Sequence, residues 1–249
     1  MLMLQTAVAR EDGKRSGQQV ANAEKDWSYS GETGPENWGS LSKEFSLCGA
    51  GVRQSPVDIG KTSAAILPQL KFHYHTKVLS THQIQNSLWV DYNSDSYMKV
   101  DGIRYQLTGF DFHTPGEHSF RGRKTDMEIH LHHLGPQGQR LILAIPVIGG
   151  QRKNITLSRI WENLPKSGIR GYNRRVGINA LFLLPSDRTY VAYKGSETRP
   201  PCGENVQWLV FKSPTKASWK NINHLKAIFG YNARPLQPLN DRVILGDNR

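Results

Sequence analysis

The stretch that decides the fold reads Phe110-Asp111-Phe112-His113-Thr114-Pro115-Gly116-Glu117-His118 and, after a connection around Gly122, Glu128-Ile129-His130-Leu131-His132-His133. It carries five of the nine histidines. Side chains alternate along a strand, so Asp111 and His113 share one face while Phe110 and Phe112 take the other. The same rule aligns Glu128, His130 and His132. If the two strands are antiparallel neighbours, Asp111, His113 and His130 converge on one point. Three ligands with an open fourth position describe a catalytic zinc site. The spacing is equally that of strand histidines lining a cleft.

Working outward, residues 70–75, 88–92, 104–113, 127–133, 141–148 and 206–212 are dense in β-branched and aromatic residues or alternate in polarity. Gly, Pro, Asn and Asp turns separate them, so they read as strands. Helical signals are fewer. In 216–229, Trp219, Ile222, Leu225 and Phe229 recur at helical spacing and Gly230 supplies a stop; a shorter helix is predicted over 156–164, before Pro165. The sum is a mainly β (α+β) domain with peripheral helices.

Residues 26–249 read as one domain without internal repeats. Residues 1–25 read as a flexible arm, or as the remnant of a secretory signal ending in Ala7-Val8-Ala9, though without the basic start and full apolar length of such a signal. With 249 residues, 37% hydrophobic, the chain can bury a sizeable core, which excludes global disorder. No window approaches the roughly 18 uninterrupted apolar residues of a membrane span. Cys48 and Cys202 are the two cysteines, too few for a cysteine-only zinc site.

From Trp27 onward the chain resembles the α-carbonic anhydrases. Tyr29 and Gly34-Pro35-Glu36-Asn37-Trp38 are similar to the family's N-terminal aromatic segment, and Gln54-Ser55-Pro56-Val57-Asp58-Ile59 to its Gln-Ser-Pro-Ile-Asn-Ile motif. The two histidine segments resemble its metal-bearing strands. Gly195-Ser196-Glu197-Thr198-Arg199-Pro200-Pro201-Cys202 resembles its Gly-Ser-Leu-Thr-Thr-Pro-Pro loop, and Asn232-Ala233-Arg234-Pro235-Leu236-Gln237 completes the series. The resemblance implies a large, twisted, mostly antiparallel central sheet with an active-site cone. It also implies a Cys48–Cys202 disulfide as in exported members, and hence a periplasmic, luminal or extracellular location.

The resemblance further assigns the zinc ligands to Asp111, His113 and His130, with Glu128 supporting His130. Thr198 and Glu117 match the pair that orients the zinc-bound hydroxide, and Ile142, Val206 and Trp208 match pocket walls. Six departures converge on the cone. Asp111 replaces a histidine ligand, Gly109 replaces the glutamine that supports it, and His132 and Glu197 replace apolar pocket residues. Arg199 replaces a threonine, and Asn86 stands at the proton-shuttle histidine, with His82 nearby but out of register. An anionic ligand cancels part of the metal's field and raises the pKa of bound water, and a lost support weakens metal binding roughly 10–100-fold. The expected reading is therefore a pseudoenzyme that holds zinc weakly or not at all and serves as a binding or structural subunit of an assembly. The alternatives are a zinc-dependent carbonic anhydrase with an Asp/His/His site, and a different metal or a non-zinc small-molecule site built from His132, Glu197 and Arg199.

The formal charge is 32 − 21 = +11. Seven basic residues, Arg152, Lys153, Arg159, Lys166, Arg170, Arg174 and Arg175, lie near one acid, Glu162, and Arg121, Arg123 and Lys124 form a second group. Such a surplus favours an acidic protein surface, an anionic glycan or an acidic membrane surface as partner, and is equally that of a solvated basic face that serves solubility. No reading helix, zinc finger or stacking motif accompanies the charge, which argues against nucleic acid.

Overall fold

The computed structural model describes residues 26–92, 95–151, 153–164 and 170–247. The reading of residues 1–25 as an arm or signal remnant lies outside these, as do Arg152 and Lys166. A thirteen-stranded sheet forms the body. Ten of its strands follow in the order Arg170–Ile178, Lys77–Ile84, Ser87–Asp91, Ile103–His113, Met127–Leu134, Arg140–Gly150, Glu204–Phe211, Tyr190–Ser196, Leu245–Asp247, Ser63–Ala65, and three, Thr215–Ser218, Lys71–His73 and Tyr97–Val100, pair to its side. Most pairings are antiparallel; Arg140–Gly150 runs parallel to Glu204–Phe211, and Leu245–Asp247 parallel to Ser63–Ala65. The expected mostly antiparallel sheet with peripheral helices is the observed architecture.

The centre of the sheet is covered on both faces, which is why 141–148 reads as a continuous apolar run. Leu141, Leu143, Ile145 and Val147 join Phe110, Phe112, Ile129 and Leu131 beneath the helices Ile155–Glu162 and Trp219–Phe229, which contribute Leu157, Ile160, Trp161, Ile222, Leu225 and Phe229. Ile142 and Ala144 point the other way and pack with Val57, Val206, Trp208 and Val210 at the wall of the cone.

Two helix boundaries differ from the periodicity. Residues 216–218 are extended, because Thr215–Ser218 pairs with Val147–Gly150. The helix starts at Trp219, where the Ser218 side chain caps the Asn221 N–H, and stops at Gly230 with φ +68°, a conformation glycine adopts without penalty. The shorter helix is Ile155–Glu162, capped by Asn154. The strands Lys77–Ile84, Arg170–Ile178 and Tyr190–Ser196 lie outside the runs singled out from sequence, since polar or basic residues interrupt their apolar pattern.

Trp27, Tyr29 and Trp38 pack edge to face at 5.3–5.5 Å beside the Cys48–Cys202 disulfide. The Arg234 guanidinium lies 5.5 Å from the Trp38 ring and donates to the Cys48 carbonyl, the Ser55 carbonyl and Gln54 Oε1 at 2.8–2.9 Å. This buried arginine ties the aromatic segment to the floor of the cone. Burial lowers its pKa to about 10, with Glu117 opposing.

Candidate active site

Cross-strand rows build the site. Trp89, Asp111, His130 and Ala144 stand directly opposite one another on four adjacent strands; in the next row stand Asp91, Gly109, His132, Ile142, Trp208 and Tyr193. His113 faces Glu128 in the row on the other side. Residues directly opposite share a face, so Asp111, His113, Glu128, His130 and His132 all project into the cone.

The floor of the cone is densely hydrogen-bonded. Glu128 Oε1 accepts from His118 Nδ1 and His130 Nε2 at 2.7 Å each, and Oε2 accepts the His118 N–H at 3.0 Å. Burial alone would raise the Glu128 pKa, but the two imidazoles hold it well below the usual carboxylate range. His118 Nε2 lies 2.7 Å from the Tyr193 hydroxyl. His113 Nδ1 donates to the Asn232 carbonyl at 2.8 Å, and Glu117 Oε1 accepts the Arg234 N–H at 2.7 Å. Among the described residues, the buried atoms without a hydrogen-bond partner include His113 Nε2, Glu117 Oε2, the Tyr29 hydroxyl and Arg234 Nε.

The mouth is organised around Asp111. Its Oδ1 accepts from His132 Nε2 at 2.9 Å and its Oδ2 from Arg199 Nη1 at 2.9 Å, with His113 Nε2 3.6 Å from Oδ2. Asp111 is 1% exposed. Burial would raise its pKa, but Arg199 and His132 keep it well below the usual carboxylate range. The Arg199 guanidinium sits 5.4 Å from the Trp89 ring, and the His132 ring 4.9 Å from it. A Cβ built on Gly109 would lie 2.4 Å from the Trp89 indole, so the indole occupies the space of the missing side chain.

A sequence model of the eukaryotic-type carbonic anhydrases matches residues 33–247. The chain belongs to the α-carbonic anhydrase family. It is 36% identical over 229 residues to a carbonic anhydrase of Nostoc sp., covering 88% of this chain and 85% of that one. It is 30% identical to dioscorin DB3S of Dioscorea polystachya, covering 90% and 88%. The α-carbonic anhydrase of Photobacterium profundum superposes with a TM-score of 0.82 at 36% identity, covering 88% of this chain and all of that structure.

The carbonic anhydrase family implies zinc, and two of the three donors suit it. His130 donates through Nε2 to Glu128, which leaves Nδ1 for a metal, and His113 donates through Nδ1 to Asn232, which leaves Nε2. The third donor does not fit. Asp111 is taken by Arg199 and His132, and a dication beside the displaced guanidinium would add like-charge repulsion. His113 adds a further cost. Burial pulls its pKa down, but Glu117 and Asp111 outweigh that and hold it at about 9, so at neutral pH a metal must also displace its proton.

The remaining family positions divide. Ile142, Val206 and Trp208 are buried in the apolar wall. Thr198 is 5% exposed and makes no hydrogen bond to either Glu117 oxygen. Glu197 turns away to pair with Arg140 at 2.9 Å, so His132, Glu197 and Arg199 do not assemble as one site. Asn86 is exposed in the turn between Lys77–Ile84 and Ser87–Asp91. His82, read from sequence as out of register, stands opposite Trp89 in the Asp111 row and 3.3 Å from Asp91. Sequence reading assigned no role to Trp89, Asn232, Arg234 or His118. Three of these lie inside the motifs quoted, which was the available signal; nothing local marked Trp89 as the group that fills the Gly109 space.

Proposed function

We propose that this chain is a non-catalytic, carbonic-anhydrase-like protein, exported, that serves as a binding or structural subunit with an acidic partner. The observation that carries the reading is the Arg199–Asp111 pair. It sets a protein cation against the carboxylate that would have to ligate zinc, and opening a buried pair leaves each partner uncompensated. His132 and Arg199 also line the mouth with polar groups, from which apolar CO2 gains nothing. The disulfide supports export, and the formal charge of +11 supports an acidic partner.

A second reading, zinc-dependent CO2 hydration at Asp111, His113 and His130, is favoured by one specific observation. His113 Nε2 and Glu117 Oε2 are buried without hydrogen-bond partners, as groups awaiting a ligand would be. Metal content and hydration rate separate the two. Untagged protein exposed to zinc and then dialysed is expected to retain far less than one zinc per chain and to hydrate CO2 no faster than buffer. Stoichiometric zinc, with hydration abolished by an active-site sulfonamide, overturns the first reading in favour of the second.

A further inference from the structure

We infer that an outlying ribbon of the sheet is a docking platform for an acidic glycan. The ribbon comprises Lys71–His73, Tyr97–Val100 and the beginning of Ile103–His113. Lys71 stands directly opposite Lys99, and Lys99 directly opposite Arg104. The adjoining row is His73, Tyr97 and Gln106. Three cations therefore stand side by side on neighbouring strands, roughly 4.8 Å apart, and like charges in that relation are destabilising.

Lys71, Lys99 and Arg104 are exposed, and none forms an ion pair among the described residues. Lysine on an edge strand blocks sheet-to-sheet pairing, which accounts for Lys71. It does not account for Lys99, whose strand is paired on both sides, or for Arg104. An external anion compensates all three.

Tyr97 organises the cations. His73 from one neighbouring strand stacks on its ring at 4.6 Å, and the Arg104 guanidinium from the other lies 4.0 Å from the ring centroid. The guanidinium is thereby pre-set, which lowers the ordering cost of binding. The same crowding leaves Tyr97 unsuited to stacking a nucleic-acid base. The two rows offer no exposed aliphatic side chain to insert into a membrane, and Tyr97 is enclosed between His73 and Arg104. A flat line of positive charge beside a row of hydrogen-bonding groups suits a polymer of charged sugars. Arg104, in the cation row, lies seven residues along its strand from Asp111, about 23 Å, so the inference stands apart from the state of the cone.

Heparin oligosaccharide is the probe, measured by calorimetry at two salt concentrations. Lys71→Gln/Lys99→Gln/Arg104→Gln is compared with Arg121→Gln/Arg123→Gln/Lys124→Gln, which removes the same charge elsewhere. The platform triple variant is expected to bind at least roughly tenfold more weakly, and the control to stay within about twofold of the parent. Affinity of the parent should fall as salt rises. The platform variant should melt no lower than the parent, because it relieves the cross-strand repulsion. Equal loss in both variants, or no binding by the parent, overturns the inference. Polyglutamate bound as tightly as heparin overturns it too, in favour of an acidic protein.

Discussion

Glu128 and Asp111 are both buried carboxylates on adjacent strands of one sheet, and both are held ionised, but by different partners. Glu128 is satisfied by two imidazoles and a backbone N–H, in a network that would orient His130 with or without a metal. Asp111 is satisfied by a guanidinium and by His132, neither of which belongs to the family's pattern. The contrast shows what a buried carboxylate demands of its surroundings. It brings a charge into a desolvated site, and that charge must be neutralised locally. Arg199 does so, Trp89 covers the guanidinium from the side, and Gly109 makes room for Trp89.

Breaking the Asp111 arrangement from one side should have the largest effect. Arg199→Ala leaves a buried carboxylate with His132 alone and is expected to cost about 3 kcal/mol in denaturant unfolding. Arg140→Ala, at a more exposed pair with Glu197, should cost under about 1 kcal/mol. If Arg199 acts through charge, adding Asp111→Asn to Arg199→Ala recovers much of the loss; a larger loss in the double variant would count against that explanation.

The second prediction rebuilds the mouth in the image of the floor. Asp111→His alone leaves Arg199 facing an imidazole and a metal, whereas Asp111→His/Arg199→Thr removes the competing cation. Zinc affinity by chelator competition should be about ten- to a hundredfold higher in the double variant, the range by which supporting groups act on metal sites. Equal affinities would mean that Arg199 does not oppose zinc.

The smallest effect concerns His133, next to His132 but on the opposite, core-facing side of the strand. Burial and then the charge of His132 lower its pKa to about 3, and its Nε2 lies 2.7 Å from the Tyr74 hydroxyl. A histidine depressed in the folded state and near 6.5 when unfolded favours folding above pH 6.5, and that advantage is lost progressively down to about pH 3. Between pH 7 and 5.5 the loss should be about 1 kcal/mol, and His133→Gln should remove that part of the slope. An unchanged slope would show that His133 does not set it.

Much of this arrangement was legible in the residues themselves. The two-residue alternation places Asp111, His113, Glu128 and His130 on one face, and antiparallel pairing sets Asp111 opposite His130 and His113 opposite Glu128. What could not be read was the partner of each charge. Arg199 reaches Asp111 across 88 residues of sequence, and Trp89 reaches Gly109 across a strand boundary; no local pattern encodes such meetings. The boundary at 216–218 was hidden for a related reason, since apolar spacing does not reveal that a neighbouring strand has claimed those residues.

Arg234 touches Cys48, Gln54, Ser55 and Glu117, at separations of up to 186 residues. Contacts of such long range cost loop-closure entropy before they repay it, so this corner is expected to close only once the surrounding sheet has already brought the four segments together.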